Sequence, residues 1–210
     1  MLKSRYKEYQ QKVVKRFYKD YFSTFDRQIV LVDCLQPLNA GYDSFHDMKD
    51  ALEQIMKSFR YGRSSMLKRL FSPRIDKILF AATKADHITP EQHPNLISLL
   101  QQMVHPSWQH AAFENIEMEC ISIASVQATT TGFVSKGDNN IPAIQGMTNE
   151  GHALTLFPGD VPRKLPKENF WQEGGFDFNS FRPTELEPDQ PLPHVRLDRA
   201  LQYLIGDKLK

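Results

Sequence analysis

Three short apolar runs constrain this chain most: "RQIVLVD" at 27–33, "DKILFAA" at 76–82 and "MECISIAS" at 118–125. Side chains alternate between the two faces of a strand, so a run that is apolar throughout needs cover on both sides. Stretches with helical periodicity separate the three. Strands that alternate with helices build a parallel sheet, because two parallel neighbours need a long return path between them. The first 125 residues therefore read α-β-α-β-α-β, an α/β fold whose ligands gather at the carboxyl ends of the strands.

The helices are legible from their apolar spacing. Residues 3–22 form one amphipathic pattern, with Tyr6, Tyr9, Val13, Phe17 and Tyr21 at three- and four-residue steps. Lys3, Arg5, Lys7, Lys12, Lys15, Arg16 and Lys19 outnumber Glu8 and Asp20 on the rest of its surface. The plain expectation is an aromatic stripe laid on the core with the charges in water. The sharper alternative is a basic surface for membrane headgroups or nucleic acid. A second helix is expected from Asp43 to about Arg60, with Asp43 or Ser44 as N-cap and Phe45, Met48, Leu52, Ile55, Met56 and Phe59 inward. A third begins with Thr89 as N-cap, Pro90 at the first helical position and Gln92 closing a capping box. It carries Leu96, Ile97, Leu100, Met103 and Val104, stops at Pro106, and gives way to a short helix through Trp108 and Phe113. A last helix is expected over 195–205, with Leu197, Leu201, Leu204 and Ile205 on its apolar face and Gly206 as C-cap.

Between 130 and 192 the character changes. Gly and Pro become frequent, and "TTGFVSKGDNNIPAI" and "HALTLFPGDVP" read as short strands around turns. "FRPTELEPDQPLP" is an extended, Pro-rich connector. The expected organisation is a basic amphipathic helix over 1–25, an α/β domain over 26–130 and 193–210, and a β-rich, Pro/Gly-rich insertion over 131–192. With 26 basic against 25 acidic residues the net charge is +1, which gives no nucleic-acid signature. Cys34 and Cys120 lie in apolar runs without CxxC or metal-ligand spacing, as small buried thiols of a reducing compartment do. No run approaches the roughly 20 apolar residues of a membrane span. The expected location is the cytoplasm, with the membrane surface as the alternative site for the basic helix.

The three strands end in Asp33, in Thr83-Lys84-Ala85-Asp86, and in Ser125-Val126-Gln127. At one edge of a sheet this set suits recognition of a guanine base. A carboxylate accepts from both the ring N–H and the exocyclic amine of guanine, a paired, charge-assisted contact that adenine cannot make. Asp86 is the candidate reader. Lys84, two residues earlier on an extended tip, would lay its aliphatic stem over the base, and the third tip would offer backbone N–H groups to the guanine carbonyl oxygen. Asp33, behind Ile29-Val30-Leu31-Val32, has the form of a strand-end aspartate that holds Mg²⁺ through water.

The stretches "FDRQIVLVDCLQPLN", "LFSPRIDKILFAATKAD", "ASVQATTTG" and "LPHVRLDRALQYLIGDKL" resemble the YcjX family of bacterial P-loop GTPases, matching a C-terminal part of such proteins along essentially all 210 residues. The resemblance implies a partial Ras-like α/β core, with GTP or GDP and Mg²⁺ as ligands. It aligns Thr83-Lys84-Ala85-Asp86 with the guanine-specificity motif [NT]KxD, Ser125 and Val126 with the next guanine-contacting loop, and Asp33 with the Mg²⁺-side aspartate. In two respects the chain departs from the pattern. Asp33-Cys34-Leu35-Gln36 lacks the glycine of DxxG, and residues 1–210 contain no GxxxxGK[ST] phosphate loop. The expectation is thus the base-reading portion of a longer GTPase, catalytically inactive in isolation. The alternatives are a non-catalytic interaction or remnant domain, and a doubly wound domain of unrelated function in which Asp33, Asp86 and Ser125 do not meet. His87, His93, His105 and His110 lack the spacing of a metal site, and Arg60, Arg63, Lys68, Arg69 and Arg74 form a basic run read as a solvated loop.

Overall fold

The computed structural model describes residues 2–21, 24–58, 75–113, 116–173, 176 and 179–209. Strands β1 (Arg27–Val32), β2 (Lys77–Ala82) and β3 (Glu117–Ser122) form a parallel sheet in the order β1-β2-β3. Their register puts Val32, Ala82 and Ser122 level, so the three strand ends open onto one edge. The α/β expectation holds.

Helices are numbered in chain order. The first two, α1 (Leu2–Tyr9) and α2 (Lys15–Asp20), flank a π-turn at Gln10–Val14. Then follow α3 (Leu35–Ala40), α4 (Tyr42–Ser58), α5 (His93–Phe113), α6 (Phe170–Glu173) and α7 (Leu197–Ile205). Strand β2 shows why the sheet has two covers. Ile78, Phe80 and Ala82 face a cluster with Leu35 and Leu38 of α3, Phe45, Leu52 and Met56 of α4, and Leu96, Leu100 and Met103 of α5. Leu79 and Ala81 face the other way, with Ile121 and Ile123, onto Ala200, Tyr203 and Leu204 of α7. Each fully buried large side chain contributes about 1.5–3 kcal/mol, and β2 holds three of them, Ile78, Leu79 and Phe80, in a row. Cys34 and Cys120 are buried free thiols, and burial pushes the Cys120 thiol up to about 12.

An antiparallel meander follows, formed by β4 (Thr129–Lys136), β5 (Asn139–Met147) and β6 (Ala153–Leu156) in the order β4-β5-β6. Lys136 pairs with Asn139, so Gly137 and Asp138 make a two-residue hairpin loop. Gly137 supplies the positive φ of 63° that such loops need at their first position. Beyond β6 the chain runs as an extended strap over α5. Gln92 donates to Gly159 O and accepts from Val161 N, Asn95 donates to Val161 O, and Ser98 and Gln102 donate to Arg163 O. A row of polar side chains on one helix face thus satisfies the strap's backbone in place of a partner strand. The strap ends on α6, where Trp171 donates to Leu38 O at 2.8 Å and its ring meets Tyr42 edge-on.

Several expectations change. Strand β1 is not central: it pairs with β2 alone among the described residues, and Ile29 (42% exposed) and Leu31 (61%) lack cover. No residue of α1 or α2 is buried, so the aromatic stripe does not lie on the described core; Tyr6, Tyr9, Phe17 and Tyr21 are all more than half exposed. Helix α4 starts at Tyr42, behind Gly41 at φ 116°, which leaves Asp43 in its first turn instead of at the cap. Ile55 is exposed. Gln92 closes no capping box, because its amide is committed to the strap, and Thr89 makes no side-chain cap bond. Helix α5 continues through Pro106 as a single element, a proline removing only one ladder donor. Gly206 caps α7 in right-handed conformation. Phe59 and the basic run from Arg60 to Arg74 lie outside the described residues.

Candidate functional site

The chemistry-bearing residues collect where β1, β2 and β3 end. Asp33 follows β1 directly. One carboxylate oxygen accepts the Gln36 N–H at 3.1 Å, and the other takes Lys84 Nζ at 2.7 Å, across the strand boundary. Thr83 prolongs the sheet ladder by donating its N–H to Val32 O at 2.9 Å. Lys84 then adopts φ 60° and ψ 34°, a left-handed conformation that costs an L-residue roughly 1–2 kcal/mol. This reversal turns the chain off the strand and into a 3₁₀ turn, Ala85–His87, that carries Asp86.

Four separate elements hold that turn. Ala85 donates its N–H to Ile123 O at 3.0 Å, just past β3. The Ala85 carbonyl accepts from His93 Nε2 at 2.8 Å, at the start of α5. The Asp86 carbonyl accepts from the Thr129 hydroxyl at the start of β4, and the Asp86 carboxylate accepts the Ala128 N–H at 2.8 Å through Oδ2. The ring of Phe181, beyond the strap, lies 5.7 Å from the ring of His87. Burial is the first cause that lowers the pKa of both His87 and His93, opposed for His93 by its bond to Ala85. A neutral His93 fits this position, since it has one N–H to give and one acceptor beside it.

Asp86 is buried, 6% exposed, yet it points at polar partners and not into the apolar clusters. Its second carboxylate oxygen has no partner among the described residues. Ser125 and Val126 are exposed in the bend after β3, pinned on either side by the Ala124–Val195 bridge and by the Gln127 N–H donated to Pro193 O. Arg196, left-handed at φ 53°, donates to the Ser122 carbonyl and hydroxyl and so ties the entry of α7 to the same edge. Asp33, Thr83, Lys84 and Asp86 thus share one edge with the loop after β3.

Direct ligation of Mg²⁺ fits Asp33 poorly, whereas the contact expected from the sequence runs through water. Both of its carboxylate oxygens carry partners, one of them a cation at 2.7 Å, and no group of three metal-ligating side chains assembles among the described residues. A second cation there would have to displace Lys84 against like charge.

Ala128, Thr129 and His93 were invisible in the sequence. "QATTT" carries no motif, and His93 acts on a carbonyl eight residues before it, a geometry that no periodic pattern encodes. The one available clue was the helix start at Pro90, which places the first turn of the following helix against the preceding loop.

Comparison with known proteins places the chain in a family. The family described as YcjX-like family, DUF463, matches residues 1–209. The Ras-like GTPase YcjX of Escherichia coli (strain K12) is 56% identical over 211 residues, which is 100% of this chain and 45% of that protein. The Ras-like GTPase YcjX of Shewanella oneidensis is 49% identical over 214 residues, 100% of this chain and 44% of that protein. The chain therefore spans less than half the length of the curated relatives it matches.

Proposed function

Because the chain belongs to the YcjX-like family, we propose that its strand tips form the base-reading part of a guanine-nucleotide site in a Ras-like GTPase. The observation that carries this reading is the Asp86 carboxylate: buried, held at one oxygen by the Ala128 N–H, and with its other oxygen unpartnered among the described residues. Each carboxylate oxygen has two acceptor positions, so Oδ2 keeps room for a second donor. Guanine brings two donors along one edge, the ring N–H and the exocyclic amine. Adenine brings an acceptor in place of the first, and leaving a buried charge unpaired costs about 1–3 kcal/mol or more.

Lys84, anchored by Asp33, lays its stem along the base plane while its charge stays neutralised. The exposed Ser125-Val126 bend turns backbone N–H groups toward the guanine carbonyl oxygen. Thr83 shapes the start of the turn through its ladder bond to Val32. Phosphate binding and GTP hydrolysis need a phosphate loop, and residues 1–210 contain no GxxxxGK[ST] run; this chain covers 45% and 44% of the two relatives. Mg²⁺ serves that chemistry by neutralising phosphate charge; Asp33, paired with Lys84, would reach it through water and not as a direct ligand. For the 210 residues alone the same missing loop favours a second reading, a folded module with no measurable nucleotide affinity of its own.

Calorimetric titration of the intact protein with GDP and ADP tests the base reading. GDP binds at least tenfold tighter, as a 1.4 kcal/mol difference requires, and Asp86→Ala abolishes the preference. A variant that kept the full preference would refute the assignment.

A further inference from the structure

The base-reading turn and the antiparallel appendage are hydrogen-bonded to each other. Ala128 and Thr129, the first residues of the appendage, each reach Asp86: one by a backbone N–H to the carboxylate, the other by a hydroxyl to the carbonyl. On the far side of the same turn Phe181 packs against His87. Phe181 in turn bridges to Thr148 just past β5, and its ring fills the space a side chain at Gly146 would need, where a Cβ would lie 2.6 Å from the ring. The turn is thus held at Asp86 by the residues that start β4 and at His87 by Phe181, which is bridged to the end of β5.

We propose that Ala128 and Thr129 are positioning residues for Asp86, and that occupancy of the base site is thereby coupled to the order of the β4–β6 appendage. The inference rests on the guanine reading above. A two-point contact with guanine needs the carboxylate plane level with the base edge. The Ala128 N–H fixes one oxygen, and the Thr129 hydroxyl, itself on a 3% exposed residue, fixes the backbone that carries it. Coupling is reciprocal: a base that locks Asp86 also strengthens the bonds that start β4. The appendage then reports which base is bound.

The test uses the intact protein and two readouts. The GDP-to-ADP affinity ratio is measured for wild type, Asp86→Ala, Thr129→Val and Thr129→Ser. Loss of one hydrogen bond that orients a charged group lowers the ratio about tenfold in Thr129→Val, and Thr129→Ser restores it. Hydrogen exchange on the unaltered protein shows GDP, and not ADP, slowing the Ala128 amide and those of β4. If Asp86→Ala removes guanine preference while Thr129→Val keeps it, the positioning role is wrong and the base reading stands. If GDP slows no amide between 128 and 136, the coupling is wrong. If Asp86→Ala leaves the ratio unchanged, both readings fail together.

Discussion

Lys84 occupies a conformation that lysine seldom adopts, and it does so between the strand and the Asp86 carboxylate. Strain of this kind persists where surrounding bonds over-determine the backbone, and here the turn is held by Ile123, His93, Ala128 and Thr129. Lys84→Ala and Lys84→Gly both lose the ion pair with Asp33, so their difference isolates the backbone. The glycine variant should be the more stable by about 0.5–1 kcal/mol, read from urea midpoints. His93 gives a pH signature. Its pKa is lowered in the fold, so below the ordinary histidine value of 6.5 the unfolded chain takes up a proton that the folded one refuses, and stability falls with falling pH. A proton on Nδ1, which is buried and without a partner among the described residues, would add an unmatched donor, and Glu91 and Asp86 offset this only in part against Arg196. His93→Gln should flatten the pH dependence of the urea midpoint between pH 8 and 5, leaving a residual slope from His87, whose pKa is lowered in the same direction. At this scale the sequence reveals Asp33, Lys84 and Asp86, because strand ends announce themselves; it hides their supports, which are backbone groups and long-range partners.

Helix α5 shows what periodicity does and does not reveal. Leu96, Ile97, Leu100, Met103 and Val104 are legible as its apolar stripe; four are buried and Ile97 is half-buried. Its polar face looks like solvent, yet Asn95, Ser98 and Gln102, with Gln92 in the 3₁₀ turn just before it, recur at the same spacing and carry the strap. Amides at three- and four-residue steps have the period of any helix face, so nothing in the sequence separates a wet face from one that binds backbone. Gln92→Ala strips partners from the buried Val161 N–H and from Gly159 O, a loss of about 1–3 kcal/mol. It should appear as a lower urea midpoint with faster amide exchange at Val161 and Arg163, while β2 keeps its protection. The strap also explains why residues 131–192 read as a loose insertion. Val161, Trp171 and Phe176 pack on the main core, but their positions follow from the strap's path over α5 and not from any local pattern.

Across the molecule, the parallel sheet and its crossover helices follow from three apolar runs, and the order of strand ends follows from the register. The place of β1 does not. Its run "RQIVLVD" is as apolar as a central strand, yet Ile29 and Leu31 are exposed while Val30 and Val32 pack on the core, and Arg27 at its start bonds Asp76, Asp207 and Leu204 O. Those bonds hold the Arg27 guanidinium charged and keep the Asp207 carboxyl well below the usual carboxylate range. A sequence states that a strand is apolar on both faces without stating which chain covers the second. The bare row has a practical consequence for handling these 210 residues. Backbone without a partner strand among the described residues, flanked by exposed isoleucine and leucine, is a template for stacking copies of the same polypeptide. Concentrated solutions should therefore scatter light, and Leu31→Lys should clear them without shifting the unfolding midpoint, since the lysine enters water and not the core.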